Sequence, residues 1–107
     1  MALTPEGKVK KAVTTVLKAH GIWYFFPGNN GLGKSGIPDI ICILPGGYFM
    51  GIECKADKTK KPTELQAKCG LDISAAGGAW LVICDDDGII LLERLIKHRK
   101  TVTRITA

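Results

Sequence analysis

The sequence lacks a hydrophobic run long enough to cross a membrane. The uncharged stretch at residues 40–52 contains Pro45 and three glycines within 13 residues, whereas a membrane-spanning helix needs about 18 to 20 apolar residues. Lysines near the amino terminus interrupt any apolar run there. We therefore expect a soluble, unprocessed protein.

Metal-binding patterns built on cysteine and histidine are also missing. The chain has only two histidines, and its four cysteines lie 12, 15 and 15 residues apart with no Cys-x-x-Cys pair. The cysteines are Cys42, Cys54, Cys69 and Cys84. A zinc site would need closely spaced pairs, so we interpret the four as reduced core thiols of a cytoplasmic protein. Any metal should then be held by oxygen ligands.

The size and charge of the chain narrow the class of protein. Its 107 residues predict one domain, residues 1–107. The hydrophobic fraction of 46% is too high for a disordered chain. Fifteen Lys and Arg against ten Asp and Glu give a net charge of +5, which is a weak indication of a polyanionic partner.

The spacing of apolar residues predicts two helices. The first begins after Thr4, which suits a helix cap, and ends before Gly21. The second lies between Pro62 and Gly77. Its predicted buried face consists of Leu65, Cys69 and Ile73.

Five short apolar segments predict strands, at residues 22–26, 39–44, 48–55, 79–84 and 89–92. The turn residues 45–47 predict a hairpin of the second and third strands, and residues 85–88 predict a turn between the last two. The predicted order is α-β-β-β-α-β-β, followed from Glu93 by a basic tail that we assign to no element. The aromatic residues in these strands are expected to pack in the core rather than stack on bases; they are Trp23, Tyr24, Phe25, Phe26 and Trp80.

The predicted hairpin brings three charged side chains together. With a loop of three residues, Leu44 faces Tyr48, and the same register sets Asp39 opposite Glu53. Strand alternation puts Lys55 on the face of both carboxylates. A divalent cation between the two carboxylates would relieve their repulsion. The alternative is a surface salt-bridge cluster, but the apolar residues around the trio favour the cation site.

The segment Gly36-Ile37-Pro38-Asp39, followed by Glu53-Cys54-Lys55 and Gln66, resembles the PD-(D/E)xK nuclease superfamily and specifically its VRR-NUC branch. The similarity runs from Glu6 to about Ile83. It implies an α/β fold of the restriction-endonuclease type, with a mixed β-sheet flanked by helices.

The resemblance also implies roles for the hairpin residues. Asp39 and Glu53 would bind Mg²⁺ or Mn²⁺, together with the backbone carbonyl of Cys54. Lys55 would contact the attacking water or the scissile phosphate. We expect it to act as a positive charge rather than as a general base, because two carboxylates lie beside it.

Two further residues have more than one interpretation. By resemblance, Glu6 would support the metal site, but an acid in the first helical turn also interacts favourably with the helix dipole. By resemblance, Gln66 would help to hold the lysine or the nucleophile. Residues 63–66 also fit a capping box, which is compatible with a role in the site.

Contacts to DNA phosphates are expected from polar residues outside the hairpin. These are Asn30 and Lys34 in the glycine-rich loop, and Lys58, Lys60 and Lys61 in the charged turn. Nucleases of this type often have a basic residue before the glycine-rich loop, but residues 22–30 contain none.

Residues 28–35 also match the P-loop pattern G-x-x-x-x-G-K-S. A P-loop must continue directly into a helix whose N–H groups face the phosphate. Here Gly36, Pro38 and a β-rich run follow. We therefore rank P-loop nucleotide binding below a nuclease.

The resemblance implies a metal-dependent, structure-specific DNA endonuclease that acts on Holliday junctions or other branched DNA, as in DNA repair. Symmetric cleavage of two strands needs two active sites, which predicts a homodimer. We expect neither a nucleotide cofactor nor a membrane partner, and a location in the cytoplasm of a bacterial or phage-infected cell. The alternative is a nucleic-acid-binding module without catalysis, which would lack Asp39, Glu53 or Lys55. All three are present.

Overall fold

The computed structural model describes residues 3–28 and 36–98. The helices are α1 (Pro5–Ala19), α2 (Glu64–Ala75) and α3 (Asp86–His98), and the strands are β1 (Tyr24–Phe25), β2 (Ile40–Leu44), β3 (Tyr48–Cys54) and β4 (Ala79–Ile83). The sheet has the order β1-β2-β3-β4, in which β1, β2 and β3 are antiparallel neighbours and β4 is parallel to β3. The predicted α/β fold with a mixed, helix-flanked sheet is confirmed.

Helices cover the two faces of the sheet to different extents. Alternate residues of the strands, among them Cys42, Met50 and Ile52, are buried against α1 and α3 and form the core. On the other face α2 packs over β3 and β4, where Gly70 lies against the indole ring of Trp80. A Cβ atom at residue 70 would come within 2.0 Å of that ring, so only glycine permits this contact.

The β2–β3 hairpin has the predicted register. Pairs run from Leu44 opposite Tyr48 to Ile40 opposite Ile52. Gly46 and Gly47 form the turn with φ angles of 90° and 84°, a conformation that glycine adopts without strain. The register therefore sets the ends of both strands, where the predicted carboxylates lie.

The prediction of a strand at residues 89–92 is wrong, because residues 86–98 form α3. Asp85 acts as a helix cap rather than as part of a hairpin turn, since its Oδ1 accepts a 3.0 Å hydrogen bond from the backbone N–H of Gly88. Asp86 and Asp87 lie in the first helical turn, where the dipole favours acids. Part of the predicted basic tail, residues 93–98, is thus helical, and residues 99–107 lie outside the described residues.

Several predicted core side chains are exposed. Trp23 and Phe25 are 63% and 43% exposed, and Phe26 is also exposed, because β1 is a two-residue strand at the edge of the sheet, whereas α2 packs mainly over β3 and β4. Leu65, predicted on the buried face of α2, is 55% exposed. By contrast Cys69 is buried as predicted.

The P-loop match at residues 28–35 falls mostly outside the described residues. The described chain resumes at Gly36 and enters β2 at Ile40 without an intervening helix. The prediction that no helix follows the Gly-Lys-Ser triplet is therefore confirmed. No helix within residues 3–28 and 36–98 has the length and hydropathy required to cross a membrane.

Candidate active site

Asp39 lies at the start of β2, directly after the buried Pro38. Its Oδ2 accepts a 2.8 Å hydrogen bond from the backbone N–H of Cys54 at the end of β3. One further step of the hairpin register, beyond Ile40 and Ile52, sets Asp39 opposite Glu53. The structure therefore brings the two predicted carboxylates to one end of the hairpin.

Glu53 is the fully buried acid of this cluster, with a side chain that is 0% exposed. Its Oε1 lies 3.5 Å from the Nε2 of Gln66, whereas its Oε2 has no hydrogen-bond partner in the described part of the chain. Burial and then the negative charge of Asp39 raise the pKa of Glu53 to about 7, although the charge of Lys55 partly lowers it. A buried carboxylate whose charge is only partly compensated favours binding of a proton or a cation.

Lys55 and Gln66 form a bonded pair beside the carboxylates. The Nζ of Lys55 donates a 2.9 Å hydrogen bond to Gln66 Oε1. The same oxygen accepts a 2.9 Å bond from the backbone N–H of Thr63, and the hydroxyl of Thr63 accepts a 3.2 Å bond from the N–H of Gln66. Gln66 is therefore a capping-box residue and a partner of Lys55 at the same time, as both interpretations of the sequence allow.

The backbone of Cys54 faces the same end of the hairpin. Cys54 pairs with Ile83 in the parallel ladder, and the N–H of Lys55 donates to the carbonyl of Ile83. In a parallel ladder, a residue such as Ile83 bonds to the two neighbours of its partner and not to the partner itself. The N–H and carbonyl of that partner, Cys54, therefore point away from β4. The N–H of Cys54 indeed binds Asp39, so its carbonyl is directed to the same side.

The Cys54 thiol itself does not suit a metal ligand. Burial, followed by the charge of Asp39, raises its pKa to about 12, and the thiolate is the form that binds metals. Within residues 3–28 and 36–98, no group of three His, Cys, Asp or Glu side chains surrounds a common point. Two carboxylates and one backbone carbonyl remain, and such an all-oxygen set suits Mg²⁺ or Mn²⁺, with water completing the coordination.

The structure places Glu6 and Lys10 on one side of α1, one helical turn apart. Glu6 is exposed and forms part of no three-residue cluster with Asp39 and Glu53. Both charges nevertheless act on the Cys54 thiol, whose pKa Lys10 lowers and Glu6 raises. Sequence reasoning missed Lys10, although its spacing of four from Glu6 is a signal that it shares the same side.

The predicted DNA-contacting lysines have different surroundings. Lys58, Lys60 and Lys61 are exposed in the segment between β3 and α2, and Lys58 lies 3.6 Å from the carboxylate of Asp85. Asp57 shapes this turn by accepting bonds from the backbone and hydroxyl of Thr59. The other two predicted contacts, Asn30 and Lys34, lie outside the described residues.

The raised pKa of Glu53 predicts how stability depends on pH. The folded protein binds the Glu53 proton up to pH of about 7, whereas the unfolded chain loses it near 4.5. The free energy of unfolding should therefore fall as pH rises from 4.5 to 7, by about 3 kcal/mol from this group. Thermal melts of metal-free protein would measure this, with Glu53→Gln expected to remove that part of the decline.

The exposed acid Glu64 provides a control for this measurement. Glu64→Gln changes the same charge at the start of α2, away from the buried cluster, and should keep the decline of the parent protein. A Glu53→Gln protein with an unchanged pH profile would contradict the assignment.

Several known proteins are similar to this chain. No profile of a known protein family matches the chain. It is 34% identical over 88 residues to "Putative nuclease p44" of Acyrthosiphon pisum secondary endosymbiont phage 1, covering 81% of this chain and 90% of that protein. A solved structure described as "VRR_NUC domain" superposes with a TM-score of 0.74 and 28% identity over 90% of this chain and 98% of its own. A second, "VRR_NUC domain protein", has a TM-score of 0.70 and 20% identity, covers 95% of this chain and 96% of its own, and shows the shared fold.

Proposed function

Because the chain belongs to the VRR-NUC family of nucleases, we propose that it hydrolyses phosphodiester bonds of DNA as a metal-dependent endonuclease. The observation that carries the metal dependence is the buried Oε2 of Glu53, which has no hydrogen-bond partner in the described residues and lies beside Asp39. Removing such a carboxylate from water is unfavourable unless a cation compensates it.

Each residue of the site would have a separate role in the reaction. Asp39, Glu53 and the carbonyl of Cys54 would hold the ion, which when bound lowers the pKa of a water and stabilises negative charge on the phosphate. Lys55 would place a positive charge against the phosphate as that charge develops. Gln66 keeps Lys55 in position through its 2.9 Å bond.

A cleavage assay tests this function. Labelled four-way junction, flap, linear duplex and single strand would each be incubated with Mg²⁺, with Mn²⁺ or with EDTA. We expect cleavage with either metal and none with EDTA. Binding of DNA without cleavage under every condition would instead support the non-catalytic binding module.

We further propose that the protein acts as a homodimer on branched DNA, since symmetric cutting of a junction needs two sites. The part of the sheet face that no helix of the described residues covers supports a second copy as partner. Trp23 and Phe25 have ring centroids 5.4 Å apart, Ile43 donates a backbone bond to Trp23, and Phe49 pairs with Ile43. All four side chains are exposed, and contiguous apolar surface of this kind marks interaction sites.

We expect wild-type protein to be a dimer by light scattering and to cut a four-way junction at least about ten times faster than linear duplex. The double variant Trp23→Gln, Phe49→Gln should be monomeric and lose this preference. Leu71→Gln removes another exposed apolar side chain, 66% exposed on α2, and should remain dimeric. A wild-type monomer that cuts duplex and junction equally fast would contradict the proposal.

A further inference from the structure

Lys10 is a second positively charged side chain, besides Lys55, near the end of the sheet where the carboxylates lie. It is on the side covered by α1. The Nζ of Lys10 is 6.0 Å from the centroid of the Phe26 ring, which is within the range of a cation–π interaction. Phe26 follows β1, and one step beyond the pairing of Phe25 with Ile41 sets it beside Ile40. The ammonium group is therefore held on the α1 side of the sheet, near the end of β2 that Asp39 precedes.

The surroundings of Lys10 leave its charge available to a ligand. Among the described residues it forms no ion pair with a carboxylate, and its side chain is half-buried rather than free in solvent. Lys55, by comparison, is bonded to Gln66. Residues 22–28, which form the nearest edge of the sheet, contain no basic side chain.

The DNA strand beside the site needs positive charge of its own, because a divalent ion held by Asp39 and Glu53 would compensate only those two carboxylates. Asp39 and Glu53 would present two carboxylates to an incoming phosphodiester, and Glu6 on α1 adds a negative charge that acts on the Cys54 thiol. A DNA backbone brings one negative charge per phosphate, so the strand flanking the scissile bond is repelled unless cations line its path. On the α1 side of this path, Lys10 provides such a positive charge beside the Phe26 ring.

The geometry points to Lys10 as a substrate-binding residue whose ammonium group, held over Phe26, contacts a backbone phosphate of DNA next to the scissile bond. This inference rests on the proposed nuclease function and extends it to the α1 side of the site.

Binding measurements test this role without cleavage. A labelled four-way junction would be titrated with Lys10→Gln, Lys10→Arg and wild-type protein in EDTA at several salt concentrations. Lys10→Gln should raise Kd about tenfold and reduce the slope of log K against log salt by about 0.9, the value for one phosphate contact. Lys10→Arg should restore both. Lys11→Gln, an exposed neighbour on α1 with the same charge change, should alter Kd by less than about twofold.

Steady-state kinetics with Mg²⁺ supply a second readout. Lys10→Gln should raise KM and leave kcat within about twofold, as expected for a binding contact, and Phe26→Leu should give a smaller rise in KM. A salt slope equal to that of wild type, or a loss of kcat at constant KM, would overturn the role. If wild-type protein cleaves no DNA, the nuclease proposal fails, while the salt slopes in EDTA still decide the role of Lys10.

Discussion

Replacement of Asp39 by asparagine should reduce metal-dependent DNA cleavage at least about 1,000-fold while the protein stays folded. The substitution removes one of two carboxylates in the proposed ion-binding set. A neutral amide oxygen is a much weaker ligand for Mg²⁺ or Mn²⁺ than a carboxylate. The remaining donors, Glu53 and the Cys54 carbonyl, would then hold the ion too weakly to support the reaction.

Asparagine is a better test than alanine because it removes the negative charge of Asp39 and keeps a side chain of the same shape. Its side-chain oxygen can still accept the hydrogen bond that Asp39 receives from the N–H of Cys54. Alanine would leave that part-buried N–H without its partner, at a cost of about 1 to 3 kcal/mol, which the loss of repulsion against Glu53 partly offsets. Asp39→Asn removes the repulsion alone, so its melting temperature without metal should equal or exceed that of wild type.

The measurements are cleavage rate with Mg²⁺ or Mn²⁺ and a thermal melt of each variant. Asp72→Asn is the matched control, since it makes the same charge change on the exposed side of α2 and should leave the rate within about twofold. Undiminished cleavage by Asp39→Asn, or by wild-type protein in EDTA, would exclude the proposed ion site.

The carboxylate end of the hairpin could be predicted by counting residues. A loop of three residues sets the register of an antiparallel pair, and each further pair follows from that register. The observed pairs from Leu44 and Tyr48 to Ile40 and Ile52 bear this out. Local rules were sufficient here because the turn and both strands lie within about 15 residues.

Features that depend on packing between distant parts of the chain could not be predicted from local rules. The run at residues 85–88 fits a hairpin turn and a helix start equally well, and burial of Leu92 and Ile96 against the core decides for the helix. The exposure of Trp23 and Phe25 likewise depends on where α2 ends over the sheet. The burial of Glu53 depends on the same placement of α2, and so does the unpaired oxygen that supports the proposed function.

The position of Lys55 depends both on the local alternation of the strand and on the packing of α2 against it. Strand alternation predicts that its side chain faces the same way as Glu53, and its bond to Gln66 of α2 agrees with that. The capping box at Thr63 holds Gln66 in a fixed orientation, because both of its hydrogen bonds are present. A helix cap thereby orients a charged side chain at the site. Such a preorganised charge is most effective where negative charge grows during a reaction.

Lys55→Ala should therefore lower kcat about 100-fold or more while the dissociation constant for DNA changes by less than about threefold. The lysine is held beside the carboxylates rather than on the exposed surface, so it contributes little to the long-range attraction of DNA. Lys61→Ala removes the same charge from an exposed position of the neighbouring turn, and there we expect weaker binding with kcat nearly unchanged. Single-turnover cleavage and equilibrium binding in EDTA distinguish the two effects. If Lys55→Ala weakened binding as much as Lys61→Ala and left kcat intact, Lys55 would be an ordinary phosphate contact and the catalytic proposal for it would fail.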